Sequence, residues 1–232
     1  KCIWSAAERM PLTTLNDAGW LRMPSGLPST ALRGLPVDAA LAVDDAGSRN
    51  LLEQPWCAAL VFPIRSYLQS IGLLPDDAVA VQCTLFRKTP DCNWKVPYHQ
   101  DLSIPVAARI ANPVLSGWSQ KEDGHYVQPP AELLDALLAV RLHLDACDAD
   151  AGALRVVPGS HRLGRLSPEC IAAMDKRSDE VACTADAGDL VLMKPLLLHA
   201  SSKAERPVGR RVLHFLFAPR QPGCGLQWRI MV

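Results

Sequence analysis

From residue 78 onward the chain breaks into short β-prone runs separated by turn residues, and no helix recurs regularly between successive runs. Ala78–Phe86, Leu137–Leu144, Ala153–Val157, Val191–Met193 and Arg211–Phe217 are rich in Val, Leu, Ala and Phe, and Lys88–Asn93 reads as the loop that ends the first of them. A doubly wound parallel sheet needs a crossover helix after each strand. Its absence points to antiparallel pairing in a barrel or sandwich. Residues 1–77 read instead as a helical flank. Its clearest helix is Trp56–Ile71, where Leu60, Ile64, Leu68 and Ile71 share one face and Gly72 and Pro75 follow the end. Thr14–Trp20 starts an amphipathic turn, and Ala39–Leu52 has a helical pattern broken by Gly47. Two further helical stretches, Pro130–Leu138 and Ser167–Ala173, interrupt the β region, the second opening on a Ser-Pro-Glu cap.

Pro and Gly are spread along the whole length, with no Ser/Gly linker, repeat or charge block, so the expectation is a single domain over 1–232 with its β core at 78–218. Lys+Arg and Asp+Glu are 24 each. That balance gives no electrostatic reason to expect nucleic acid or an anionic membrane as partner. The eight cysteines include no CxxC pair, which leaves a zinc ribbon unsupported and fits free thiols in a reducing cytoplasm. No run approaches the roughly 18 apolar residues of a membrane span, and Lys1-Cys2-Ile3-Trp4-Ser5 does not read as a secretory leader.

The chemistry concentrates at Tyr98-His99-Gln100-Asp101. On an extended segment the alternation of side chains puts His99 and Asp101 on the same side, where an imidazole and a carboxylate can face one ion. His199 closes the run Leu190–His199, where a strand leaves the core, and supplies a second nitrogen. Two histidines and one carboxylate on one face of an octahedral ion leave three positions open, as in non-haem Fe(II) oxygenases. A His-x-Asp pair alone is common, and a capping His99 with a core His199 bonded to a carbonyl is the ordinary alternative. Eleven residues past His199 comes Arg210, with Arg211 beside it, at the start of Val212–Phe217. A guanidinium there is placed to grip a carboxylate in two-pronged fashion, and Ser201 can add a hydroxyl. A dicarboxylic cosubstrate would then be held at one end while its other end chelates the ion.

In this order, Val96-Pro-Tyr-His-Gln-Asp-Leu-Ser-Ile-Pro-Val106, Leu142-His-Leu-Asp-Ala-Cys-Asp148, Gly152-Ala-Leu-Arg-Val-Val-Pro-Gly-Ser-His-Arg162, Gly188-Asp-Leu-Val-Leu192 and His199-Ala-Ser with Arg210-Arg211 resemble the phytanoyl-CoA dioxygenase-like branch of the Fe(II)/2-oxoglutarate-dependent oxygenases, over roughly residues 78 to 218. The resemblance implies a double-stranded β-helix, the jelly-roll or cupin-like barrel. It also implies iron held by His99, Asp101 and His199, with Arg210 and Ser201 on the distal carboxylate of 2-oxoglutarate. The implied activity is hydroxylation of an unactivated C–H bond of a small molecule, with O2 consumed and 2-oxoglutarate decarboxylated to succinate. Arg210 is preferred to Arg211, which alternation turns the other way. One departure stands out: many relatives carry a Trp where this chain has Arg141. Arg141 and His143 share a strand face and are candidates for contacting cosubstrate or substrate, with a satisfied buried network as the alternative.

Lys88 and Trp94, ahead of the ligand pair, are further cavity candidates. The segment 106–130, which holds Trp118, Lys121, His125 and Tyr126, reads as a substrate-selecting loop, with Trp118 a substrate contact. His161 in Pro158-Gly-Ser-His reads as a structural tie and not as a ligand. The competing readings are a diverged jelly roll that binds metal or ligand without turnover and a cupin-type metalloenzyme that does not use 2-oxoglutarate. An intact His99, Asp101, His199 and Arg210 set argues against the first.

Overall fold

The computed structural model describes residues 6–37, 47–121, 124–174, 176, 179–205 and 209–232. In chain order the helices are α1 (Ala6–Ala18), α2 (Ser29–Arg33), α3 (Pro55–Ser70), α4 (Ala131–Asp135) and α5 (Pro168–Ala173). The strands are β1 (Trp20–Pro24), β2 (Gly47–Ser48), β3 (Ala78–Lys88), β4 (Val96–His99), β5 (Ile104–Val106), β6 (Ser116–Lys121), β7 (Gly124–Gln128), β8 (Leu138–His143), β9 (Leu154–Val156), β10 (Val181–Cys183), β11 (Asp189–Met193), β12 (His199–Ser201) and β13 (Arg210–Pro219).

They form a six-stranded sheet in the order β1-β11-β8-β13-β3-β2 and a four-stranded sheet in the order β10-β9-β12-β4. All pairs within both are antiparallel, and the two sheets pack face to face as a jelly roll. Strand alternation divides the apolar residues between two cores. Leu138, Val140 and Leu142 of β8, with Leu213, Phe215 and Phe217 of β13, pack outward against Cys57, Leu60, Ile64 and Leu68 of α3. Ala139 of β8 and Leu216 of β13 face inward with Leu154 and Val156 of β9. The inward face also carries Arg141 and His143, so the polar residues of β8 are inside the barrel and its leucines under the helix.

A slip of phase occurs in β3. Leu216 pairs with Gln82 and Phe217 with Ala80, leaving Val81 as an extra residue, a β-bulge. Ala78 and Ala80 face α3 before it, and Cys83 and Leu85 do so after it. Gln82, Thr84 and Phe86 are thereby turned into the barrel.

Several sequence expectations need local correction. Residues 39–46 of the Ala39–Leu52 pattern lie outside the described residues, and the remainder forms β2 and a 3-10 turn at Leu51–Glu53. The amphipathic turn at Thr14 belongs to α1, which ends at Ala18, and Trp20 instead opens a strand that pairs with β11 along its whole length. The helix expected over Pro130–Leu138 stops at Asp135, and Leu138 already belongs to β8. Segment 106–130 holds β6 and β7, which with β5 just before them form a three-stranded sheet in the order β5-β7-β6, with Val106 and Val127 buried. Among the described residues no helix is long and apolar enough to cross a membrane.

Candidate metal centre

His99 and His199 lie a hundred positions apart in sequence and directly opposite each other as cross-strand partners of β4 and β12. Their ring centroids are 4.2 Å apart. Asp101 follows the end of β4, where its backbone N–H donates to Pro195 O at 2.9 Å, and its carboxylate oxygens reach 3.7 Å from each histidine Nε2. One donor atom from each of the three side chains lies within 4.8 Å of the others. Between them in sequence, Gln100 points the other way. Its amide donates to Gly164 O at 2.8 Å and Leu196 O at 2.6 Å, and its carbonyl accepts from the Leu166 N–H at 2.8 Å. The ligand loop is thus bolted to two neighbouring segments.

The imidazoles are oriented by their own backbone. His99 Nδ1 lies 2.9 Å from Pro97 O, and His199 Nδ1 lies 2.8 Å from Leu197 O. A carbonyl can only accept, so each Nδ1 carries a proton, and it is Nε2 of each ring that turns toward Asp101. Burial pushes His199 down to about 4, the neutral form that a metal ligand requires. Two nitrogens and a carboxylate, converging on one side of a common point, fit a divalent first-row metal with its other side open.

That open side faces a cavity of about 350 Å³ between the sheets, lined among others by Gln82, Thr84, Phe86, Arg141, Ser201 and Arg210. Arg210 is 3% exposed. Its Nη1 donates to Gly152 O at 2.8 Å and approaches Cys147 Sγ at 3.6 Å, while its Nε has no partner. Arg211 faces away and pairs with Asp145 through Nε and Nη2, both at 2.9 Å. Lys88 is buried behind Ser201, donating to Ser201 Oγ at 2.8 Å and to Ser202 O. Burial and then the charge of Arg210 bring Lys88 down to about 8. Because Ser201 Oγ accepts from Lys88, its own hydroxyl proton is left to donate into the cavity. A buried arginine edge and an oriented hydroxyl beside a metal-type donor set fit one end of a chelating dicarboxylate.

The other expected residues separate. Trp94 lines the cavity, with its Nε1 donating to Arg87 O at 2.9 Å and its ring 5.9 Å from Phe86. His143 shares the face of Arg141 but lies outside the cavity wall, buried, with Nδ1 unpartnered. Trp118 also lies outside it, on β6 under Arg109. From the same three-stranded sheet it is Ile104, Lys121 and Tyr126 that reach the cavity. His161 ties α1 down, its Nε2 being 3.0 Å from Asn16 O. His214 is a cavity residue that sequence reasoning missed. Its position four after Arg210 on one strand, at even spacing, is the signal that places it on the same face.

Fold and site together define a class: a jelly roll with a two-histidine, one-carboxylate donor set at the cavity between its sheets. The family model for phytanoyl-CoA dioxygenase (PhyH) matches residues 64–212, and the chain belongs to this family. Among solved structures, the chain is similar to the epimerase SnoN, crystallised with Fe3+, alpha ketoglutarate and nogalamycin RO, at TM-score 0.66 and 14% identity over 92% of this chain and 84% of that one. HygX from Streptomyces hygroscopicus, with nickel and 2-oxoglutarate bound, matches at TM-score 0.62 and 14% identity over 91% and 87%. EvdMO1 matches at TM-score 0.65 and 18% identity over 91% of this chain, which spans 49% of the length of that one. No curated protein matches the chain.

Proposed function

We propose that this protein is a non-haem Fe(II)/2-oxoglutarate-dependent oxygenase that hydroxylates an unactivated C–H bond of a small molecule. The observation that carries the reading is the convergence of His99, Asp101 and His199 on a cavity that also holds the unpartnered edge of Arg210. His99, Asp101 and His199 would hold the iron. Arg210 would grip the distal carboxylate of 2-oxoglutarate, and Ser201, its hydroxyl aimed by Lys88, would donate a second hydrogen bond. With cosubstrate and O2 bound, the metal supplies oxidising power that no side chain has. The chain's own work is placement: Gln100 fixes the ligand loop, and the backbone carbonyls of Pro97 and Leu197 set the imidazoles.

The sheet β5-β7-β6 forms the part of the cavity wall that would choose the substrate, through Lys121 and Tyr126. Hydroxylation is the simplest outcome of the arrangement. Epimerisation, the reaction named for SnoN, would use the same ligands with the substrate C–H differently placed. The test begins without oxygen. Adding Fe(II) and 2-oxoglutarate should develop a visible charge-transfer band, and admitting oxygen should yield succinate. Protein that is folded yet gives neither band nor succinate refutes the reading. Asp101→Ala should abolish iron binding. Arg210→Ala should keep iron and raise the Kd for 2-oxoglutarate roughly 10- to 100-fold, the loss of a charge-assisted pair.

A further inference from the structure

The cavity is more cationic than the proposed chemistry needs. Among the described residues Arg49, Lys121, Arg141 and Arg210 line it, and the one carboxylate there is Asp101. Loading a divalent metal together with a dianionic cosubstrate leaves that excess unchanged. Arg210 is accounted for by the distal carboxylate. Arg141 is not. It projects from the middle of the six-stranded sheet, the wall facing the strands that carry the metal donors, and is 6% exposed. Among the described residues no carboxylate pairs with it. Its Nη1 donates to His214 Nδ1 at 3.1 Å, its plane lies 5.3 Å from the Phe86 ring centre, and its Nε is buried without any partner.

That hydrogen bond fixes His214 as well. Nδ1 accepts from a guanidinium that cannot accept in return, so the imidazole proton sits on Nε2. Burial, and then the charge of Arg141, push His214 down to about 3, so it stays neutral. The pair therefore offers the cavity N–H groups alone, a set that matches the oxygens of a carboxylate, sulfonate or phosphate and suits no donor. A buried cation without a counterion is unfavourable until an anion reaches it.

We propose that Arg141 and His214 receive an oxyanion carried by the substrate, so that the enzyme acts on acidic small molecules. The inference rests on the oxygenase reading, because it assigns Arg210 to the cosubstrate.

The test uses protein loaded with Mn(II), in place of the redox-active iron, and 2-oxoglutarate. Benzenesulfonate, a poor metal ligand, and its uncharged analogue methyl phenyl sulfone are titrated in turn by calorimetry. The wild type should bind the sulfonate roughly tenfold or more tightly than the sulfone, as expected for a charge-assisted contact. Arg141→Gln should abolish that preference while its 2-oxoglutarate affinity is unaltered. Arg141→Lys, which keeps the charge, should retain part of it, and circular dichroism of both variants checks their fold. The wild-type comparison needs no variant. Equal binding of the two probes, no binding of either, or a preference that survives in Arg141→Gln overturns the proposal. So does a loss of 2-oxoglutarate affinity in Arg141→Gln, because it would make Arg141 a cosubstrate residue. Failure of the wild type to bind 2-oxoglutarate refutes the oxygenase reading itself, whereas 2-oxoglutarate binding without a sulfonate preference refutes the anion site alone.

Discussion

Gly152 shows how closely backbone and site are fitted. It has φ +69°, and a Cβ there would come within 2.8 Å of Ser202 O and 2.9 Å of Lys88 Nζ, while its own carbonyl holds Arg210. Both the left-handed backbone and the close approach favour a residue without a side chain. Gly152→Ala should cost about 2 kcal/mol of stability, read from thermal unfolding, and should weaken 2-oxoglutarate binding by moving the carbonyl that aims Arg210. The buried histidines give the molecule an acid-sensitive side. Burial, followed by the charge of Arg141, holds both His143 and His214 near about 3, against an ordinary value of 6.5. Above 6.5 both forms of the chain carry these groups neutral and stability is unaffected. Below it the unfolded chain takes up protons that the folded one refuses, so stability falls progressively from about pH 6.5 toward pH 3. Unfolding free energies from urea titrations at about pH 7 and pH 4 should differ by about 3 kcal/mol for each of the two histidines. His143→Gln, which leaves nothing at that position to titrate, should flatten the slope.

Among the elements, β3 carries the sharpest constraint. Its bulge at Val81 keeps alanines under α3 at the start of the strand and turns Gln82, Thr84 and Phe86 into the cavity at the other end. A one-residue slip exchanges the two faces of a strand. Deleting Cys83 should therefore absorb the bulge, letting Val81 take the pairing with Leu216 and pushing Gln82 into the place of Cys83 under the helix. We expect a cost above about 3 kcal/mol, seen as loss of the cooperative transition in circular dichroism. The bulge also explains what the sequence could not convey. Ala78–Phe86 is legible as a strand because its composition is local, but strict alternation would put Gln82 on the face of Ala80, and only the pairing with β13 reveals the slip. The same limit hid β1: Trp20–Pro24 has no alternating pattern of its own and becomes a strand because β11 offers it an edge. In β6, Ser116–Lys121 is too polar to announce itself as a strand, so 106–130 read as a loop. The metal donors and Arg210 were legible because each sits in a short motif whose residue types have a direct chemical reason to be together. Phe86 depended on the bulge and stayed hidden, while His214 needed only the even spacing from Arg210.

At the scale of the molecule, the donor set joins parts of the chain that the fold has to bring together from far apart. Binding to the folded form alone should raise stability by mass action, about 2.7 kcal/mol at a free ion concentration a hundred times Kd. Thermal unfolding with Mn(II) and with a chelator should differ accordingly in the wild type and coincide in His99→Ala. Among the described residues β4 is the outermost strand of its sheet and has β12 as its one neighbour there. An ion coordinated from both strands would act as a removable clasp on that hem, closing a loop of about a hundred residues much as a covalent crosslink does. Stripping it should leave the inner strands as slow to exchange their amide protons as before and let those of β4 exchange first. The edge beside the site would then fray in metal-starved protein long before the barrel opens, and a protease offered the stripped form would cut there.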